Sequence, residues 1–283
     1  MTAIEQNVVS AVQAGVKCNG ILDTGGPTHR AVVIKYAPGG VPANDAKMIT
    51  DLTNIEVIRD GHTIWEVSAA ELIAFNAYYG LPRADGLLPI HFGRPEMLSR
   101  MEEDNYAFGT LDVEKARIEV QIDAGAIAPE MSFWSIPIAG VEANHGQMLE
   151  VTSRPLQNIS GAKSEVHTDL VDLENGTFVK ALHFNTALIT DYEIQIRNRG
   201  KKGIYTEGEI ALHELDHEMM SHKMGGYTKQ AGYTHIQLAG ERHDRIFPLN
   251  VGEFKLTNTY SGAVTGLSVL REIVTGSPLH NIA

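Results

Sequence analysis

Apolar and polar residues alternate over short stretches along much of the chain, the period of two that marks half-buried strands. Val57 and its neighbours alternate in this way, reach a turn at Asp60-Gly61, and continue as Thr63-Ile64-Trp65-Glu66-Val67. An Asp-Gly pair between alternating runs predicts a β-hairpin. Further strands are predicted at Ala31 to Tyr36, Leu87 to Phe92 and Lys115 to Ile122, and later at Phe178 to Phe184, Tyr233 to Leu238 and Glu253 to Tyr260. Helix signals are few. Ser68 followed by Glu71 forms a capping box, in which each side chain satisfies the other residue's backbone N–H, and Thr206 with Glu209 has the same spacing. Near the N-terminus Ile4, Val8, Ala11 and Val12 fall on one helical face with Gly15 as a stop, which predicts a short helical arm.

These elements recur. Ser68-Ala69-Ala70-Glu71-Leu72 is echoed by Thr206-Glu207-Gly208-Glu209-Ile210 and Leu111-Asp112-Val113 by Leu249-Asn250-Val251, both at an offset of 138. Ile55-Glu56-Val57 answers Tyr192-Glu193-Ile194 at 137. A period this long is a duplicated domain, since solenoid repeats are far shorter. Seven or eight short strands and one helix per half, with no βαβ alternation, predict an all-β chain with a few short helices. The expected fold is two tandem eight-stranded antiparallel jelly-roll sandwiches, a double jelly roll. The expected boundaries are an arm over residues 1–15, a first sandwich over 16–141 and a second over 142–283. Two unrelated β domains with chance similarities are the competing reading.

Composition narrows the function. The chain of 283 residues can hold two ordinary domains. No stretch is long and apolar enough to span a bilayer as a helix, and the start, with Glu5, carries no secretory pattern. Cys18 is the single cysteine, so no internal disulfide forms, and assembly in a reducing compartment is expected. Asn158-Ile159-Ser160 and Asn175-Gly176-Thr177 match the glycosylation triplet but read more simply as turns. The net charge of −12 argues against direct nucleic-acid binding, because an acidic surface repels phosphate. One basic feature stands out: Arg197, Arg199, Lys201 and Lys202 crowd a glycine-rich turn where the first copy has only Asp60-Gly61. It reads as a solvated hairpin tip, or as a docking point for an acidic neighbour or a lipid headgroup.

The sharpest catalytic pattern is His213-Glu214-Leu215-Asp216-His217, an H-E-x-x-H match inside the second expected helix. Two histidines at that spacing share a helix face and can hold zinc while Glu214 acts as general base. A third ligand would come from His222, His235, Glu241 or His243, none of which has a diagnostic placement. With 12 histidines and 35 acidic residues a chance match is easily formed, and the expected setting is a β-rich repeat rather than a zincin. A solvated polar helix face is the simpler reading. No nucleophile elbow, P-loop or dinucleotide fingerprint is present, no carboxylate pair is singled out as glycosidic, and Cys18 reads as a structural thiol.

The stretch His91-Phe92-Gly93-Arg94-Pro95-Glu96-Met97, followed by Tyr106-Ala107-Phe108-Gly109-Thr110 and Ile118-Glu119-Val120-Gln121-Ile122-Asp123, resembles the major capsid proteins of corticoviruses. These are tailless icosahedral phages with a membrane under the shell. In the second half Tyr192-Glu193-Ile194-Gln195-Ile196 and Ser268 to Val274 fall where that family has strands. The resemblance covers most of residues 16–274 at modest identity. It implies a non-enzymatic coat subunit of the virion, assembled in the host cytoplasm. Homotrimers would form pseudo-hexagonal capsomers that meet neighbouring capsomers, vertex proteins, membrane proteins and the membrane itself. An internal membrane would explain the acidity, since lipid then separates the shell from the genome. Ca²⁺ would be a structural ion at subunit contacts, although no EF-hand loop fixes its ligands. Candidate contacts are Arg94 and Glu96, beside the strand-ending Pro95, together with Arg197, Arg199, Lys201 and Lys202. The zinc motif is no part of this resemblance. A zinc-dependent hydrolase and a carbohydrate-binding jelly-roll module are the alternatives.

Overall fold

Alternating burial turns the predicted runs into strands. In the computed structural model the described residues are 3–8, 10–93, 106–143, 148–171, 177–198, 201–212, 227–238, 247–248 and 253–275. The chain divides into two units, Met1–Leu149 and Glu150–Ala283.

In the first unit the strands are β1 (Ile4–Val8), β2 (Lys17–Leu22), β3 (Pro27–Tyr36), β4 (Leu52–Arg59), β5 (His62–Val67), β6 (Leu87–His91), β7 (Phe108–Gly109), β8 (Ala116–Ile122) and β9 (Met131–Glu142). Two helices, α1 (Asp45–Asp51) and α2 (Ala69–Tyr78), lie in the connections. One sheet has the order β2-β8-β4-β5 and the other β1-β9-β3-β6, with β7 pairing beside β3. Val32 and Ile34 from one sheet, and Ile55, Val57, Ile118 and Val120 from the other, are fully buried, while Glu56 and Glu119 alternate out of the core. Gly20 is required by this packing, because a Cβ there would come within 2.3 Å of the Phe133 ring. Trp65 is fully buried and meets Phe75 and Phe92 edge-on, at centroid distances of 5.6 and 6.2 Å. Such pairs add about 0.5–1.5 kcal/mol each beyond area burial, and these tie β5 to α2 and to the end of β6.

The second unit repeats the plan with β10 (Met148–Pro155), β11 (Lys163–His167), β12 (Thr177–Phe184), β13 (Ile189–Asn198), β14 (Lys201–Glu209), β15 (Thr234–Gln237), β16 (Phe247–Pro248), β17 (Glu253–Tyr260) and β18 (Ser268–Thr275). Its sheets are β11-β17-β13-β14 and β10-β18-β12-β15, with β16 also pairing β12. Lettering the eight principal strands of either unit B to I in chain order gives C-H-E-F and B-I-D-G both times. That order is the jelly roll. Phe184, Ile194, Ile236, Phe254 and Leu256 form the centre of the second core.

The registers repeat as well. Glu56 stands opposite Glu119 on β4 and β8, and Glu193 opposite Thr257 on β13 and β17. Val57 opposes Trp65 and Ile194 opposes Thr206, each followed by a bulge.

Two expectations are corrected. Thr206 is not a helix start. It lies inside β14, and the helix begins at Ile210, so Glu209 occupies the position of Ser68. The second hairpin is four residues longer between its equivalent pairs, which moves the offset from 137 at Ile194 to 141 at Thr206. The capping box at Ser68 does form, with Ser68 Oγ accepting from the Glu71 N–H and the Glu71 carboxylate accepting from the Ser68 N–H. The N-terminal helix is replaced by β1. Ile4, Glu5 and Gln6 face Ser135, Trp134 and Phe133 of β9, whereas Asn7 and Val8 face Ile21 and Gly20 of β2. A helix this short is marginal by itself, and two sheets offer ready-made backbone partners.

Candidate functional site

On the face of β2, β8 and β4 turned from the core, two carboxylates sit directly across from each other. Lys17 Nζ lies 2.8 Å from Glu56 Oε1 and 3.0 Å from Glu119 Oε2, and Arg117 Nε lies 2.7 Å from the other Glu119 oxygen. The hydrogen bond to Glu56, then that to Glu119, raises the Lys17 pKa. Beside this ladder runs a groove of about 630 Å³ lined by Asn19, Ile21, Asp60, Lys115, Arg117 and Glu119.

At the end of the first unit that carries α1, Tyr36 donates to Asp51 Oδ2 at 2.6 Å, with both residues buried, and Lys47 Nζ is 3.0 Å from Asp51 Oδ1. Burial, and then the carboxylate, push the Tyr36 hydroxyl pKa well up. The Gly39 N–H donates to the Ala128 carbonyl and so joins the α1 loop to the turn before β9. Val41 (66% exposed) and Ile127 (76%) project from these loops, with Ile49 and Leu87 also exposed nearby in the fold. A groove of about 690 Å³ between Pro38, Val41, Pro42, Ala46 and Thr50 borders them.

The basic turn of the second unit lies at a hairpin tip, as its composition suggested. Arg197 pairs with Lys202, and Asn198 with Lys201, at the closed end of β13 and β14. Arg199 lies outside the described residues, as do Arg94 and Glu96. The zinc motif residues His213, Glu214 and His217, with His222, Glu241 and His243, also lie outside them. Among the described residues no group of three or more His, Cys, Asp or Glu side chains is placed to hold a metal ion.

His235, the remaining candidate for a third zinc ligand, belongs to a buried polar cluster in the second unit. Its Nδ1 is 2.7 Å from Nδ1 of His183, whose Nε2 is 2.7 Å from Glu272 Oε1. Lys180 Nζ lies 3.3 Å from Glu272 Oε2, and all four residues are at most 4% exposed. The Gln230 N–H donates to His235 Nε2 at 3.3 Å. Among the described residues one placement of protons satisfies these contacts: His183 Nε2–H donates to Glu272, His235 Nδ1–H donates to the bare His183 Nδ1, and His235 Nε2 accepts from Gln230. Burial, and then the neighbouring His183, push the His235 pKa down to about 2. No sequence spacing announces this cluster, because its members come from three strands, β12, β15 and β18. A second buried pair, His167 Nε2 and the Tyr260 hydroxyl, is 3.1 Å apart, and burial raises the Tyr260 pKa to about 12.

Neither unit converges on a nucleophile with a base among these residues. The geometry is that of two scaffolds with polar faces and exposed loops, and their fold has known counterparts. The chain superposes on the major capsid protein P2 of bacteriophage PM2 with a TM-score of 0.81 at 17% identity, covering 99% of this chain and 98% of that one. The major capsid protein of STIV gives 0.64 at 12% identity over 100% and 99% of the two chains. The Faustovirus major capsid protein gives 0.57 at 6% identity over 98% and 90%. Comparison with curated protein sequences gave no match. By fold, then, this is a double jelly-roll protein, the fold it shares with these capsid proteins. Residues 3–142, just under half of the chain, match the viral coat protein P2 N-terminal domain family.

Proposed function

We propose that three copies of this chain close into a capsomer and that such capsomers tile an icosahedral shell over an internal membrane. The observation that carries the reading is the jelly roll built twice in one chain with matching registers. Three copies then supply six similar sandwiches, so a closed threefold unit offers near-sixfold contacts to its neighbours. Exposed Val41, Ile49, Leu87 and Ile127 in the first unit supply apolar contact area of the kind that closed oligomers bury. The net charge of −12 suits a shell separated from its genome by lipid.

Contacts between capsomers of so acidic a protein need cations. Ca²⁺ held by carboxylates, the basic stretch with Arg197, Arg199, Lys201 and Lys202, and the Arg94 and Glu96 segment are the proposed means. Vertex and membrane proteins of the virion are the proposed further partners, with assembly in the host cytoplasm. Sedimentation of the purified shell under chelator or raised salt tests this order of strengths. Release of trimers before monomers is expected, and direct collapse to monomers counts against it.

A further inference from the structure

The His183–His235 contact holds an edge strand. β15 has four residues, ends its sheet, and pairs only with β12 among the described residues, through Ala181–Gln237, Leu182–Ile236, His183–His235 and Phe184–Thr234. Ile236 is buried in the core, whereas His235 lies on the opposite side of the strand with His183, where Tyr233 stacks on it at 6.0 Å and 9°. Such a short pairing depends on what its side chains add.

That addition works in one protonation state. His235 already carries its proton on Nδ1 to reach His183, so a second proton must go to Nε2, which faces the Gln230 N–H. A donor would then point at a donor, and that bond would be lost. The new charge would also be buried. The titratable and charged groups facing His235 from the surrounding described elements are His183 and Lys180 on β12, Glu272 on β18, and Lys229 and Tyr233 in the segment leading into β15. Glu272 is already engaged by Lys180 and His183, while the Lys229 ammonium opposes a further positive charge.

We propose that the His183–His235 contact is a proton-operated latch that holds β15 on β12 at neutral pH and releases it in acid. In the open state His235 meets water and titrates as an ordinary imidazole, near pH 6.5. The sign follows: the closed state excludes a proton that the open state binds, so closure is fully favoured above that pH and weakens as pH falls below it. With one proton taken up, the opening constant rises about tenfold for each pH unit below about 6.

Native-state hydrogen exchange of the full chain between pH 7.5 and 4.5, corrected for intrinsic rates, reads this directly. Protection of peptides covering 181–184 and 234–237 should fall about tenfold per unit below pH 6, while β17 peptides keep theirs. His235→Asn keeps a donor near the Nδ1 position and removes the titrating ring, so its protection, whatever its level, should not change with pH over this range. Flat protection in the native chain, or the same slope in His235→Asn, overturns the latch. If that variant does not fold, ring ¹⁵N NMR of the native chain at pH 5 decides. A neutral His235 in the closed protein supports the latch, and a doubly protonated His235 with β15 still protected overturns it.

Discussion

Glu56 lies directly opposite Glu119 on adjacent strands, and the single ammonium of Lys17 bridges the two carboxylates. Like charges facing each other across a ladder destabilise a sheet, so Lys17 turns a repulsive pair into a favourable triad. Lys17→Met should lower the unfolding free energy of the first unit by about 1 kcal/mol, a modest value because the side chain is 40% exposed. The deficit should shrink in high salt, which screens the exposed repulsion. Because the pKa of Lys17 is raised, its contribution is complete at neutral pH and is lost only as pH climbs through that raised value. Urea titrations at low and high salt check both statements.

The buried bond from Tyr36 to Asp51 gives a larger effect. Tyr36→Phe keeps the ring but leaves the Asp51 carboxylate with Lys47 and no hydroxyl donor, in a site where Asp51 is 1% exposed. Hydrogen bonds to charged groups contribute about 1.5–3 kcal/mol, so a loss of that size is expected in chemical denaturation.

Ser68→Ala should cost about 1 kcal/mol by removing the acceptor for the Glu71 N–H at the start of α2. Ser68→Asp, which preserves the acceptor, should recover most of that loss, and thermal denaturation of the three proteins provides the comparison.

Cys18 is fully buried, and burial raises its thiol pKa. A thiol reagent at pH 8 should therefore leave the folded protein unmodified and react fully once denaturant is added, since the thiolate is the reactive form.

Much of the fold was legible because strand alternation, the Asp60-Gly61 turn and the Ser68–Glu71 box are local signals. Asp60 and Gly61 do take the positive φ values, 47° and 86°, that a two-residue hairpin needs. The match of Ile55-Glu56-Val57 to Tyr192-Glu193-Ile194 fell on equivalent strands in equivalent register. Thr206 misled because a spacing of three to an acidic residue is common, and the lengthened hairpin displaced the true equivalent to Glu209. Ile4 and Val8, four apart, fit a strand edge as well as a helix face, and only the partners β2 and β9 decide between them. The His183, His235 and Glu272 cluster was out of reach, since tertiary pairing alone brings residues 52 and 89 positions apart into contact.

We propose that this chain works as a closed trimer of double jelly rolls. Electron cryomicroscopy of the purified protein, with sedimentation over a range of concentrations, tests it most directly. Threefold particles whose outline is nearly sixfold are expected, and they should persist on dilution after chelator or salt has separated larger assemblies. A stable, well-folded monomer at every concentration, with no threefold particles, would contradict it.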